Sequence, residues 1–236
     1  MWQLDSHLSE IIRRTPSVKS FRFPVWNEAL AYEAGQYFFL TIKVDGNDAV
    51  HHFSFSSSPT EKGYIEFTKH ITGSDFSRAL DTMQPGAWVR LKGPMGAFTL
   101  PSEPRRLAFV SGGIGITPLR SMLRYICDSH LIYDVVLLYS SPSYEEIVFR
   151  DELDMISRTY PNIRLEYLLT GRSPPGWMGK SGLMSSEIIR ELITDYIARL
   201  FYISGPPGMV ASLTDQLRTL EIPDDHIKRD SFTGYD

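Results

Sequence analysis

The sequence predicts a two-domain β + α/β protein, in which an antiparallel β-barrel precedes a doubly wound domain with a mostly parallel sheet. Up to about residue 100, apolar residues alternate or come in short bursts between glycines and prolines. From Arg106 onward, apolar strands alternate with amphipathic helices. A polar, proline-containing stretch at 101–104 separates the two patterns. We therefore expect domains at residues 1–101 and 102–236.

The individual elements follow from the same patterns. Strand-like groups occur in the first half at 21–23, 37–42, 64–67 and 88–91, and one short helix is expected near Ser74 to Leu80. The second half is expected to place strands at 107–110, 135–139, 163–169 and 200–203. Helices are expected between these strands at 119–126, at 151–158 and from Ser185, and a final helix at 206–220.

Composition excludes several classes of function. The 24 basic and 28 acidic residues give a formal net charge of -4 without a long basic run, which argues against nucleic acid as a partner. Cys127 is the one cysteine of the sequence, so an internal disulfide and a cysteine-held iron–sulfur cluster are excluded. No segment approaches the roughly 18 apolar residues of a membrane span, and a cytoplasmic location is expected.

Two turns of the second domain have the character of phosphate loops. Ser111-Gly112-Gly113-Ile114-Gly115-Ile116-Thr117-Pro118 connects the first buried strand to a helix, where free amides supply an anion site. Its spacing differs from G-x-G-x-x-G, and such a turn can also serve packing alone. A similar turn spans Tyr202 to Met209. Two such turns at the carboxyl edge of one parallel sheet flank the crevice in which open α/β folds bind nucleotides.

The first domain carries an aromatic and serine-rich segment, His51-His52-Phe53-Ser54-Phe55-Ser56-Ser57-Ser58-Pro59. It is compatible with an edge strand that exposes serines, or with a shelf on which a flat aromatic ligand packs against Phe53. Gly73-Ser74-Asp75-Phe76-Ser77 then opens the short helix and offers a phosphate site at its amino end. A shelf and a phosphate site together suit a flavin nucleotide.

These motifs, taken in order, resemble the ferredoxin-NADP reductase superfamily of flavin reductases over nearly the whole chain. The similar segments are Gly35-Gln36-Tyr37 (G-Q-Y/F), His51 to Ser54 (R-x-Y-S), Gly73 to Ser77 (G-x-x-S), Gly93 to Phe98 (G-P-x-G-x-F), Gly112 to Pro118 (G-G-x-G-x-T-P), Ser204 to Met209 (C-G-P-P-x-M) and Asp230 to Tyr235 (E-x-F-x-G-Y).

The resemblance implies hydride transfer between a nicotinamide dinucleotide, NADPH or NADH, and a bound flavin, FAD rather than FMN. It assigns Phe53 and Phe232 to opposite faces of the flavin. Ser54 near flavin N5, Ser204 beside the nicotinamide, and Asp230 are the implied catalytic residues. Further implied contacts are His51, Thr68, Lys69, Gly73, Phe76 and Ser77 for the flavin, and Gly113, Gly115, Thr117, Gly205 and Pro206 for the dinucleotide.

Four positions depart from the motifs of that family. His51 replaces arginine, so a phosphate contact there would depend on pH. Phe53 replaces tyrosine, which keeps the aromatic ring and removes a hydroxyl. Ser204 replaces cysteine, whose thiol hydride transfer does not strictly require. Asp230 replaces glutamate and is one methylene shorter, which puts a proton-relay role in question.

The sequence leaves the preferred nucleotide and the electron acceptor open. Arg172 could hold a 2′-phosphate and favours NADPH, whereas Pro142 and Glu145-Glu146 oppose it, which leaves a slight preference for NADPH. The expected acceptor is a separate redox protein, such as a ferredoxin, a flavodoxin or an oxygenase component. The alternatives are a reductase of free flavin and, in another class, a non-catalytic electron-transfer or regulatory subunit. The segment from Phe232 to Tyr235 resembles a lid over a retained flavin and favours the first interpretation.

Overall fold

The computed structural model describes residues 1–25 and 30–232. Its first half contains two antiparallel sheets, with strand orders β1-β7-β4-β5 and β2-β3-β6, which confirms the predicted class of this half. The elements are β1 (Trp2–His7), β2 (Glu10–Arg13), β3 (Val18–Pro24), β4 (Tyr37–Val44), β5 (Asn47–Ser54), β6 (Tyr64–His70), α1 (Asp75–Thr82) and β7 (Trp88–Met95).

Aromatic side chains fill the space between these two sheets. Phe21, Phe38 and Phe67 are fully buried, and the rings of Phe21 and Phe67 stack with centroids 5.0 Å apart. In β4, buried side chains alternate with more exposed ones, as expected for a strand with one face on a core. The short helix predicted near Ser74 is α1, and the Ser74 side chain caps it.

The second half is a parallel sheet of strand order β11-β10-β9-β8-β12-β13, covered by helices. Helices α2 and α3 pack on one face, and α4 and α5 pack on the other, which confirms a doubly wound fold. The elements are β8 (Arg106–Gly112), α2 (Ile116–Asp128), β9 (Asp134–Ser141), α3 (Arg150–Thr159), β10 (Ile163–Leu169), β11 (Lys180–Ser181), α4 (Ser186–Leu192), β12 (Leu200–Gly205), α5 (Pro207–Thr219) and β13 (Ile227–Ser231).

Strand order reverses direction between β8 and β12, which are neighbours in the sheet. In a doubly wound sheet, ligands bind outside the carboxyl ends of the strands at this point. Strands β8, β9 and β12 are almost completely buried, which accounts for their continuous apolar sequences. The carboxyl ends of these buried strands therefore form the base of the expected ligand site.

Buried polar contacts join the two halves. The Arg120 guanidinium of α2 donates hydrogen bonds to Glu61 at 2.5 Å and to the Ser56 carbonyl at 2.8 Å, both in the first half. The same guanidinium binds Glu152 of α3 at 2.8 Å. Beside it, the Phe149 ring has the Arg14 guanidinium 5.0 Å and the Arg120 guanidinium 5.3 Å from its centroid. No helix within the described ranges is long and apolar enough to cross a membrane.

Candidate functional site

A cavity of about 1050 Å³ opens at the carboxyl edge of the parallel sheet. Its walls come from both halves of the chain. The lining residues are Ser17, Val18 and His70 from the first half, and Gly112, Gly113, Ile114, Ser140, Ser141, Pro142, Glu146, Val148, Thr170, Leu183, Met184, Ser185, Pro206, Gly208, Met209, Ser212, Leu213, Gln216 and Phe232 from the second. A volume of this size accommodates a dinucleotide-sized ligand.

The residues of the glycine-rich turn after β8 differ in whether they face the cavity or pack within the protein. Gly113 lines the cavity with φ +53°, and a Cβ there would meet nothing within 4 Å. Gly115 instead packs against β12, because a Cβ on it would lie 2.2 Å from the Ser204 carbonyl oxygen. The Thr117 hydroxyl donates to the Ile114 carbonyl at 3.1 Å. Among these three predicted dinucleotide contacts, Gly113 faces the cavity, while Gly115 and Thr117 shape the loop.

The turn after β12 forms the opposite side of the cavity. Pro206, Gly208 and Met209 line it, and Met209 packs tightly on Gly112, where a Cβ would come 2.3 Å from the sulfur. The Phe232 amide donates to the Gly205 carbonyl at 3.1 Å, and Phe232 lines the same cavity. The rest of the predicted lid, residues 233–236, lies outside the described residues.

Three polar side chains stand side by side on adjacent parallel strands. Ser111 of β8 is in register with Ser204 of β12, and Ser204 is in register with Asp230 of β13. Within the described part of the chain, the buried hydroxyls of Ser111 and Ser204 have no hydrogen-bond partner. Burial raises the pKa of Asp230 to about 6. Unpartnered buried hydroxyls are costly and are typical of positions that bind a ligand or water.

This polar row lies on the sheet face that meets the first half of the chain. Tyr202, two residues before Ser204 on the same face, donates its hydroxyl to the Thr99 carbonyl at 2.6 Å. Two residues of the implied catalytic set, Ser204 and Asp230, are thus neighbours, and Ser54 belongs to β5 of the first half.

The predicted flavin shelf is a cluster of aromatic rings on β5, β6 and α1. The His51 ring lies 4.1 Å from the Phe76 ring, and the Phe53 ring lies 4.3 Å from Phe67 and 5.9 Å from Phe76. Phe53 is only 7% exposed. Little of the Phe53 ring is therefore accessible in this arrangement.

Two basic side chains meet at this cluster. Burial lowers the pKa of Lys69 to about 8. Burial, followed by the charges of Lys69 and His52, lowers the pKa of His51. Because both shifts disfavour positive charge, a bound phosphate would relieve them. These residues fit the diphosphate of a flavin dinucleotide.

Two of the other predicted flavin contacts, Thr68 and Ser77, are hydrogen-bonded to residues of the protein itself. The buried Thr68 hydroxyl donates to Ser56 at 2.9 Å and is hydrogen-bonded to Ser20 at 2.7 Å. The Ser77 hydroxyl accepts from the Thr72 amide at 3.1 Å. Gly73 faces open space, since a Cβ there would meet nothing within 4 Å. A ligand at the start of α1 would therefore meet backbone and Gly73 before the Ser77 hydroxyl.

Sequence reasoning missed part of the cavity wall. His70 and Ser17, for which the sequence suggested no role, line the cavity together with Glu146, which the sequence indicated only as a charge that opposes a 2′-phosphate. Glu146 accepts hydrogen bonds from the Thr15 hydroxyl at 2.7 Å and the Ser17 hydroxyl at 2.6 Å, across the junction of the two halves. No local pattern indicates such distant partners. Arg172 is exposed and does not belong to the described cavity wall.

Comparison with known proteins identifies the architecture. The oxidoreductase FAD-binding domain matches residues 5–100, and the oxidoreductase NAD-binding domain matches residues 109–215. A ferredoxin-NADP reductase B from Sorangium cellulosum is 32% identical over 208 residues, 85% of each chain. The chain belongs to the ferredoxin-NADP reductase superfamily. It carries the domains of an NAD(P)H-dependent flavin oxidoreductase, with FAD and NAD(P)H as its cofactors.

Further similar proteins and solved structures show how widely this fold is used. The glycine betaine monooxygenase reductase subunit of Chromohalobacter salexigens is 26% identical over 229 residues, which are 94% of this chain and 62% of that subunit. The cytochrome b5 reductase domain of Ulva prolifera nitrate reductase superposes with a TM-score of 0.86 at 21% identity, over 97% of both chains. A ferredoxin NADP+ reductase from Neisseria gonorrhoeae, solved with FAD and NADP, gives 0.82 at 21% identity, over 97% and 98%.

Proposed function

We propose that this protein takes hydride from a nicotinamide dinucleotide onto FAD held by its first domain, and passes the electrons to a separate redox protein. One observation carries the proposal: a single cavity extends from the Gly113 phosphate loop to Ser17, Val18 and His70 of the first domain. His70 directly follows Lys69, the buried base of the flavin cluster. Both cofactors would therefore lie against one junction, as hydride transfer requires.

The chain supplies binding and orientation for this chemistry. When bound, the flavin accepts the hydride and releases electrons to the acceptor. Gly113 would admit the dinucleotide diphosphate, and Lys69 with His51 would hold the flavin diphosphate. Ser204 would donate its unpartnered hydroxyl towards the nicotinamide, and Ser54 would bond near flavin N5. Asp230 would hold a proton beside Ser204, and Phe232 would exclude water from the junction.

An anaerobic reduction experiment tests this proposal. Protein reconstituted with FAD should lose the oxidised flavin absorbance when NADH or NADPH is added. Ser204→Ala should slow this step and leave flavin affinity unchanged, because Ser204 lies in the second domain. Protein that binds no flavin, or holds flavin that neither nucleotide reduces, would overturn the proposed function.

The acceptor is inferred from the relatives. Proteins named as reductase subunits of glycine betaine monooxygenase and of stachydrine N-demethylase are 26% and 27% identical to this chain. They support an oxygenase component as the acceptor, alongside a ferredoxin or flavodoxin. Stopped-flow absorbance can follow the reduction of each candidate protein by the flavin-loaded enzyme, and fast reduction would identify the acceptor.

A specific observation keeps the free-flavin reductase as a second candidate. Phe53 is only 7% exposed and packs against Phe67 and Phe76, so little of its ring is accessible for a tightly stacked flavin. Gel filtration of the flavin-loaded protein distinguishes the two functions. Flavin that co-elutes with the protein supports a prosthetic group, whereas flavin that separates while still being reduced supports the alternative.

A further inference from the structure

The cavity wall carries a carboxylate and lacks a strong cation. Glu146 is the acidic residue of the described lining, which includes no lysine or arginine, and His70 is the other titratable side chain there. The positions outside the described ranges, 26–29 and 233–236, also contain no lysine or arginine. Proteins bind phosphate groups mainly through arginine and lysine. A 2′-phosphate would find no such partner in this wall.

Glu146 is fixed in place from the other domain. Its Oε2 atom accepts hydrogen bonds from Thr15 at 2.7 Å and from Ser17 at 2.6 Å. The Oε1 atom accepts none from the described residues, which leaves it available to a ligand. Two hydroxyl donors to one oxygen keep the carboxylate from turning away when a second negative charge approaches.

The position of Glu146 matches the ribose end of a dinucleotide. It belongs to the loop between β9 and α3, and β9 is the second strand of the doubly wound sheet, beside the strand that ends in the phosphate loop. In such folds an acidic residue near this point accepts a hydrogen bond from the ribose 2′-hydroxyl of NAD, whereas an arginine accommodates the 2′-phosphate of NADP.

Arg14, Lys180 and Arg150 are absent from the described cavity lining and are engaged with other side chains. Arg14 binds Glu66 at 2.9 Å, Lys180 pairs with Glu191, and the Arg150 guanidinium lies 4.1 Å from the centre of the Tyr144 ring. Arg172, the candidate from sequence, is exposed and outside the wall. Glu146 is thus the one carboxylate among the described lining residues, which include no lysine or arginine.

We propose that Glu146 makes the enzyme selective for NADH: its carboxylate accepts a hydrogen bond from the adenosine ribose 2′-hydroxyl and repels the 2′-phosphate of NADPH. This inference rests on the proposed function, because it names the nucleotide that serves the same site. It reverses the slight preference for NADPH suggested by Arg172 in the sequence.

Kinetics of two matched variants test the proposal. The wild-type kcat/KM should be at least about tenfold higher for NADH than for NADPH. Glu146→Gln keeps an oxygen that can accept from Thr15 and Ser17, and should narrow this ratio about fivefold or more, mainly by improving NADPH. Glu145→Gln removes the neighbouring charge, which is exposed and outside the wall, and should leave the ratio unchanged.

A binding experiment separates this inference from the proposed function. Calorimetry of the full chain with 5′-AMP and with adenosine 2′,5′-bisphosphate requires no hydride transfer. Weaker binding of the bisphosphate, relieved in Glu146→Gln, supports the role of Glu146. The inference would be overturned by tighter binding of the bisphosphate than of 5′-AMP, or by a higher kcat/KM for NADPH than for NADH. It would also be overturned if Glu146→Gln left the NADH-to-NADPH ratio unchanged, or if Glu145→Gln changed the ratio equally. A loss of kcat/KM in Arg172→Ala that is confined to NADPH would overturn it as well.

Discussion

At the residue scale, His51 is the side chain whose charge should bear most directly on the proposed binding of the flavin diphosphate. Burial, Lys69 and His52 lower its pKa, so the ring is held towards its neutral form before a ligand arrives. A flavin diphosphate beside His51 would reverse this preference, and binding would then take up a proton. We predict that the affinity for FAD rises as the pH is lowered from about 8 to 5, as measured by quenching of flavin fluorescence.

Substitution of His51 separates its effect from that of Lys69, whose pKa of about 8 also makes it titrate at the upper end of this range. His51→Arg should tighten FAD binding and flatten the profile below the titration of Lys69. His52→Arg adds the same charge on the opposite face of β5 and is the control. An unchanged profile in His51→Arg, or an equal gain in His52→Arg, would contradict the prediction.

Asp230 makes a second prediction at this scale. Its pKa is about 6 in the folded protein because of burial, against an ordinary value of 3.8. The folded state therefore holds the proton more tightly than the unfolded state, and stability is lost as the pH rises from about 4 to 6. Asp230→Asn should raise the free energy of unfolding at neutral pH by up to about 3 kcal/mol and remove this pH dependence.

Urea unfolding of both proteins across that pH range measures the effect of Asp230. The stability gained by Asp230→Asn should vanish at the acid end of this range, where the Asp230 carboxyl is protonated in both the folded and the unfolded state. If Asp230→Asn is no more stable at neutral pH, or is more stable by the same amount at acid pH, burial is not the cause of the shift.

At the scale of elements, the contact between the phosphate loop and β12 depends on the absence of one methyl group. A Cβ at Gly115 would lie 2.2 Å from the Ser204 carbonyl oxygen, and backbone atoms cannot yield as a flexible side chain does. Gly115→Ala should displace the turn after β12 and raise the KM for the nicotinamide dinucleotide about tenfold or more, with FAD affinity unchanged.

A matched control for Gly115→Ala is Gly46→Ala in the β4–β5 turn. Gly46 has φ +82° with nothing within 4 Å of a Cβ, so the variant should lose about 1 kcal/mol of stability through backbone strain alone. Its KM should stay at the wild-type value. Equal KM values in all three proteins would show that the contact does not shape the nucleotide site.

The elements themselves were predictable where burial dominates. Strands β8, β9 and β12 are buried on both faces, so their sequences are continuous apolar runs that indicate parallel strands. Strand β13 was not anticipated, because Ile227–Ser231 is an edge strand with mainly polar, exposed side chains. The partners of Glu146 were also missed, since Thr15 and Ser17 lie more than a hundred residues earlier in the chain.

At the scale of the whole molecule, Arg120 couples the two domains. Its guanidinium is 94% buried and binds Glu61 of the first domain and Glu152 of the second. Arg120→Met should leave both carboxylates without their partner and lower the free energy of unfolding by about 3 kcal/mol or more. Calorimetry should then show less cooperative unfolding of the two domains, because the buried ion pairs that join them through Arg120 are gone while contacts such as Ser17–Glu146 remain.

Arg124, one turn further along α2, provides the comparison for Arg120. It pairs with Asp128 of its own helix at 3.1 Å and is 39% exposed, so Arg124→Met should cost less than about 1 kcal/mol. One cooperative transition in Arg120→Met, with stability equal to that of Arg124→Met, would show that the domains are held together by other contacts.

The cavity that reaches from Ser17 to Phe232 has walls from both domains, so a nucleotide bound there would contact the assembled pair. A ligand that binds the docked state and not the separated one stabilises that state by mass action. The stabilisation of the docked state by a bound nucleotide would increase with the nucleotide concentration. A nucleotide in this cavity, oxidised or reduced, would therefore stabilise the docked arrangement of the two domains, and depletion of the nucleotide would remove that stabilisation.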